Sequence, residues 1–152
     1  IAFLTIACQN DEVYSPKPRA YYRIAINDTT YQTLENKFPY CFEYSSHAFI
    51  DPYQLHDNSS KYWINIVYPQ LNAIVYISYL NFNNDSLLNV MINDSRTMVF
   101  KQIKKADDII ESHIIDDSNA VYGKIYEVIG NEAACPLQIW ITDKKQHFLV
   151  FV

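Results

Sequence analysis

The chain has 152 residues, 49% hydrophobic and 19% charged, with 12 Lys and Arg against 17 Asp and Glu for a net charge of −5. That is one globular domain of ordinary size, and positives that double only at Lys104-Lys105 and Lys144-Lys145 exclude a nucleic-acid footprint. Only 2 glycines, Gly123 and Gly130, stand against 13 Tyr, 8 Phe and 2 Trp, so neither a G-x-x-x-x-G-K-[ST] phosphate loop nor a G-x-G-x-x-G dinucleotide turn can be written.

Residues 1–7 (IAFLTIA) form an uncharged apolar run, too short to cross a bilayer, that ends directly before Cys8 and gives way to Gln9, Asn10, Asp11 and Glu12. With no initiator Met and no basic start, the run reads as the back half of a signal peptide whose beginning precedes the chain. Ala7 before Cys8 is the pattern of a bacterial lipoprotein cleavage site, which makes Cys8 the lipidated N-terminus; Leu4 lies one place upstream of the usual large apolar position, where Thr5 stands. The competing reading is a buried first strand with an incidental Cys, but an edge strand is rarely so uniformly apolar. The expected organisation is a signal remnant at 1–7, a lipidated tether at 8–15 and a single α+β domain at 16–152, lipid-anchored in a cell envelope.

Pro16 and Pro18 hold the entry to the domain extended. Residues 21–26 alternate as a strand, 27–30 form a turn cluster, 40–44 (YCFEY) form an aromatic strand closed by Ser45-Ser46, and 51–61 read as a loop. In residues 62–67 one face carries Tyr62, Ile64 and Ile66 and the other Trp63, Asn65 and Val67; a turn at 68–72 then leads into a second strand at 73–79. Over 86–115 apolar residues recur at steps of three and four, which predicts a long amphipathic helix, or two helices broken near 95–100, started by Asn84-Asp85-Ser86. Strands at 121–129 and 137–142 flank the turn signal Gly130-Asn131, and a last strand begins at His147 and reads as unfinished at Val152. The expected fold is an antiparallel sheet of about six to eight strands with the helical segment packed on one face.

Few side chains fall into patterns that carry chemistry. His47, His56, His113 and His147 are far apart, no H-E-x-x-H or G-x-S-x-G motif exists, and neither a metal, a cofactor nor a catalytic set is expected. Asp107-Asp108 and Asp116-Asp117 read as solvated pairs, and the sequons at Asn27, Asn58, Asn84 and Asn93 as chance in an Asn-rich chain. An oxidising compartment would allow Cys41 and Cys135 to form a disulfide, with buried free thiols the equal alternative. The three arginines stand out: Arg19 and Arg23 bracket Tyr21-Tyr22, and Arg96 interrupts the apolar stripe of the helix. Arginine suits carboxylates and aromatic faces, so these residues form either an internal pair that docks the N-terminal segment or a partner-binding set of Arg19, Tyr21, Tyr22, Arg23 and Arg96.

The string Tyr14-Ser-Pro-Lys-Pro-Arg19-Ala-Tyr-Tyr-Arg-Ile24 closely resembles the opening of the mature gliding-motility lipoproteins of the GldD family of Bacteroidetes, and the resemblance continues in order. Phe38-Pro39 leads into Cys41-Phe42-Glu43-Tyr44, Trp63-Ile64-Asn65-Ile66 into Tyr68-Pro69-Gln70-Leu71-Asn72-Ala73, and Asp94-Ser95-Arg96 is followed by Lys105-Ala106-Asp107. Val121-Tyr122-Gly123, Gly130-Asn131, Thr142-Asp143 and His147-Phe148-Leu149 complete the set, with departures at Ala20, Tyr22, Cys41 and Val150. The resemblance implies a cell-envelope lipoprotein needed for gliding and linked to the type IX secretion machinery. Its expected partners are other gliding and secretion envelope proteins, with no enzymatic activity. The order of elements is also similar to the PsbP/Mog1 sandwich. Two alternatives come from other classes: a glycan or small-molecule binder using exposed Tyr and Trp63 as stacking platforms, and a hydrolase assembling Asp94, Ser95 and a distant His.

Overall fold

Alternation decides the strands and a change of period decides the helix. The computed structural model describes residues 30–52, 60–130 and 132–152. In chain order its elements are β1 (Tyr31–Thr33), β2 (Glu43–Ser45), β3 (Phe49–Pro52), β4 (Ile64–Tyr68), β5 (Ala73–Asn81), α1 (Asp85–Phe100), β6 (Asp108–Asp116), β7 (Val121–Ile129), β8 (Leu137–Thr142) and β9 (His147–Phe151). The alternation at 62–67 is realised, with Ile64 and Ile66 buried and Asn65 and Val67 half-buried on the other side. A 3-10 turn at Pro69–Leu71, closed by Asn72 in the left-handed region, joins β4 to β5.

Seven strands form one antiparallel sheet in the order β3-β4-β5-β9-β8-β7-β6, and β1 and β2 form a separate two-stranded ribbon. The last strand therefore lies in the middle, between β5 and β8, and α1 carries the chain from the centre to the far edge. Successive residues of each strand face opposite ways, so the sheet serves two cores. On one face Ile64, Ile66, Ile77, Tyr79 and Leu149 pack against the ribbon and the segment that links its strands. On the other, Tyr126, Val128, Trp140 and Phe148 pack against Leu88 and Val99 of α1. The result is an α+β sandwich of ribbon, sheet and helix.

Helix α1 begins where the capping residues stand: Asn84 Oδ1 accepts the Leu87 amide at 2.8 Å. Its buried stripe, Leu88, Ser95 and Val99 with Met91 and Ile92 half-buried, follows the expected spacing. The helix stops at Phe100, however, and the predicted continuation to 115 is corrected by the structure. Residues 108–116 are the nine-residue strand β6, paired throughout with β7. Ile109-Ile110 and Ile114-Ile115 satisfy a helical step and a strand equally. Their β-branched side chains favour a strand once β7 offers a full ladder. At the open end of that ladder, just after β7, Gly130 has φ +152°, and a Cβ there would stand 2.8 Å from the Lys105 carbonyl.

Two further expectations shift. The aromatic strand at 40–44 enters the ladder only from Glu43, although the Leu34 amide also bonds to the Phe42 carbonyl at 3.0 Å. Phe49–Pro52, part of which reads as loop, is the edge strand β3. The expected strand at 21–26 and its turn at 27–29 lie outside the described residues.

Candidate functional site

Each cover is smaller than the face it lies on, and the two covers sit over different halves of the sheet. Among the described residues nothing covers two corners of apolar sheet in consequence. On the helix's face, Phe49, Val67 and Ile74 stand directly opposite one another across β3, β4 and β5, with Tyr76 beside them. Phe49, Ile74 and Tyr76 are 52%, 46% and 50% exposed. On the ribbon's face, Ile110, Ile129 and Leu137 are exposed around the half-buried pair Ile125 and Ile139. At the β3–β5 corner the exposed apolar side chains are contiguous, whereas on the other face exposed Glu127 stands directly between Ile110 and Leu137; contiguous apolar surface of the first kind is a candidate docking surface. The signal for it lies in β5 itself: AIVYISYLN is apolar on both faces, although Val75, Ile77 and Tyr79 alone reach the ribbon core.

A third feature is a cleft of about 480 Å³ between α1 and the ends of β7 and β8, with Leu88 and Ile92 on one wall and Tyr122, Trp140 and Lys144 on the other. The turn between β8 and β9 shapes its mouth. Asp143 Oδ1 accepts the amides of Lys145, Gln146 and His147 at 2.9, 3.0 and 2.9 Å. Burial pulls the Asp143 carboxyl upward, but the three amide donors outweigh it and hold the group below the ordinary carboxylate value. The same turn sets Lys144 at φ +59° and brings its Nζ to 3.3 Å from the centre of the Tyr122 ring. Tyr122 Oη donates to Asp117 Oδ1 at 2.9 Å, a bond that raises the phenol above its usual value. Trp140 is stacked on Phe148 at 5.7 Å, and its buried Nε1 has no hydrogen-bond partner among the described residues.

The structure disperses the side chains singled out in the sequence. Arg96 stays more than half exposed on α1, with its guanidinium 4.4 Å from the centre of the Phe100 ring and its Nε 3.9 Å from Glu111 Oε1. Glu111 Oε2 in turn accepts Lys124 Nζ at 2.6 Å. Cys8, Arg19, Tyr21, Tyr22 and Arg23 lie outside the described residues. Cys41 and Cys135 are free thiols, the first exposed before β2 and the second half-buried between β7 and β8, where its Sγ donates to the Leu137 carbonyl at 2.8 Å. Ser95 is buried on the sheet-facing side of α1, and its carbonyl accepts Gln138 Nε2 at 3.1 Å. A hydrogen bond of 2.8 Å joins His147 Nδ1 to Tyr79 Oη, and Trp63 Nε1 turns inward to donate to the Tyr79 carbonyl at 2.8 Å. Trp63 is thus part of the ribbon core rather than an open stacking platform.

Among the described residues no group of His, Cys, Asp and Glu is placed to hold a metal ion, and no helix is long and apolar enough to cross a membrane. Neither a curated protein nor a solved structure matches the chain. A family model described as "Gliding motility lipoprotein GldD" matches residues 11–151, nearly the whole length. The chain therefore belongs to the GldD family of gliding motility lipoproteins.

Proposed function

We propose that this gliding motility lipoprotein works as a non-catalytic assembly factor of the cell envelope, linked to the type IX secretion machinery. Membership of a lipoprotein family implies a membrane-anchored location in the envelope. In this reading Cys8 carries the lipid, the residues that follow give reach, and the folded domain offers apolar sheet to other envelope proteins. The observation that carries the reading is the open corner at Phe49, Val67, Ile74 and Tyr76, where two aromatic and two aliphatic side chains sit on a rigid scaffold. Rigid aromatic anchors are what protein interfaces use, and they lose little conformational entropy on binding. Arg19, Tyr21, Tyr22 and Arg23 are the sequence-based candidates to extend that surface.

The test is crosslinking and pull-down from envelope fractions with wild type and Ile74→Asp/Tyr76→Asp. The double variant is expected to keep its circular dichroism and its membrane fractionation and to lose its gliding and secretion partners. Unchanged partners overturn the surface. Cys8→Ala addresses the anchor separately: retention in the membrane fraction would defeat it.

One observation favours a second reading, an envelope ligand- or glycan-binding module. The cleft beside α1 is walled by Trp140 and Tyr122, and the buried Trp140 Nε1 is a donor without an acceptor. Tryptophan fluorescence titrated with N-acetylglucosamine oligomers checks it, and a saturable change absent from Trp140→Phe supports it.

A further inference from the structure

We infer that the edge strand β6 pairs with β6 of a second copy of this chain, antiparallel about Ser112, so that two seven-stranded sheets join into one. The inference is independent of the partner reading above, because it concerns a different edge and a different occupant.

Among the described residues β6 is hydrogen-bonded to β7 on one side only, and it stands at the end of the sheet. An exposed edge is normally blunted by shortness, by Pro or Lys, or by a bulge. β6 has no Pro, Lys or bulge, and its charged side chains are the carboxylates Asp108, Glu111 and Asp116: it is nine residues long, reads DIIESHIID, and keeps one unbroken register with β7 from Asp108↔Ile129 to Asp116↔Val121.

The strand is also self-complementary. Read from either end it runs Asp, Ile, Ile, then Glu or His, and meets at Ser112. Antiparallel pairing about that residue sets Ile109 opposite Ile115 of the second copy, Ile110 opposite Ile114, and Glu111 opposite His113, each pair occurring twice. Directly opposed residues share a face, so the aliphatic pairs cover one another, and Glu111, whose charge is already met by Lys124 Nζ at 2.6 Å in its own chain, faces an imidazole rather than a like charge. The side chains that gain most are the ones left most open: Ile115 is 71% exposed and Ile110 42%. The outermost pair, Asp108 against Asp116, is like-charged, but both carboxylates are engaged within their own chain. Asp108 Oδ1 accepts the Ile109 amide at 2.8 Å, and Asp116 accepts the Asn119 amide and Nδ2 at 3.1 and 2.7 Å. The match is therefore made by the seven inner residues. Joining the edges also brings the two open corners at Ile110 and Ile125 side by side on one face of the doubled sheet.

Sedimentation velocity of the full chain over a range of concentrations tests the pairing, with Ile115→Lys and Ser112→Cys as variants. The expected result is a concentration-dependent dimer whose dissociation constant rises at least about tenfold in Ile115→Lys, with circular dichroism unchanged because the site is exposed. Cα atoms directly opposed in an antiparallel pair lie about 4.5 to 5.5 Å apart, within the span of a disulfide. Mild oxidation of Ser112→Cys is therefore expected to give a peptide linked from residue 112 to residue 112. A chain that stays monomeric overturns the inference. So does a dimer that Ile115→Lys leaves intact and that links through Cys41 in place of residue 112.

Discussion

The two halves of the sheet are covered by different materials, and the difference explains why Tyr40, Tyr44, Tyr62 and Tyr79 gather in one core. Over β7 to β9 the cover is α1, which satisfies its own backbone, is capped by Asn84, and needs only an apolar stripe to be placed. Over β3 to β5 the cover is a ribbon whose strands are three residues each, joined by an irregular segment with a turn at 36–37; Phe38, Tyr40 and Phe42 of that segment and Tyr44 of β2 pack toward the sheet at every second position. That segment has little ladder of its own and bonds to the sheet through side-chain tips. Tyr40 Oη donates to the Tyr62 carbonyl, just ahead of β4, at 2.5 Å. An aromatic ring with a polar tip fills the core and makes the missing hydrogen bond at once. A helix has no such need, so its core is mostly aliphatic on the helix side.

The contrast can be broken or sharpened by substitution, and the largest effects belong to the helix half. Phe148→Ala removes a fully buried ring stacked on Trp140 and is expected to cost about 3 to 5 kcal/mol in chemical denaturation, whereas Phe42→Ala, half-buried under the ribbon, costs about half as much. An equal cost would mean that the ribbon is as tightly packed as the helix. Gly123→Ala comes next. A Cβ there stands 2.1 Å from the Trp140 carbonyl oxygen, so β7 and β8 must separate, and a loss of about 2 to 3 kcal/mol follows in the same measurement.

Tyr40→Phe and Asn84→Ala should each cost about 1 kcal/mol, but by different routes. Hydrogen exchange separates them. Asn84→Ala loosens the first turn of α1 and leaves the ribbon protected, while Tyr40→Phe exposes amides of β1 and β2 and leaves α1 unchanged. The smallest effect lies in the β8–β9 turn, at the end of the helix half. The Asp143 carboxyl is held below its ordinary value in the folded chain, so its contribution is present above the ordinary carboxylate range and is lost as pH falls through the lowered value. Asp143→Asn is expected to be less stable than wild type at neutral pH and to converge with it in acid. A constant gap across pH would show that the charge is not what the three amides recognise.

The sequence carries much of this arrangement because the relevant signals are local. The β4–β5 hairpin follows from alternation and a Pro-containing turn, β7 and β8 from the apolar runs around Gly130-Asn131, and the start of α1 from Asn84, all readable within a few residues of each element. Gly123 is legible only as scarce: its reason, the carbonyl of Trp140, lies on another strand. Among the side chains singled out for function, Arg96 is engaged with Glu111 and Phe100, a contact no spacing rule connects because Glu111 is on a strand that reads as helix.

The sequence by itself determined the family, the α+β class and the elements whose period is unambiguous, since these depend on ordered motifs and on neighbours along the chain. That residues 108–116 form a strand, that β9 inserts between β5 and β8, and that no described residue covers two apolar corners are properties of the assembled fold. The physical reason is the same in each case. A run of Ile suits either period until β7 supplies a ladder, and an apolar residue is buried or exposed according to which distant cover reaches it, a property of the assembled layers that no window of sequence contains.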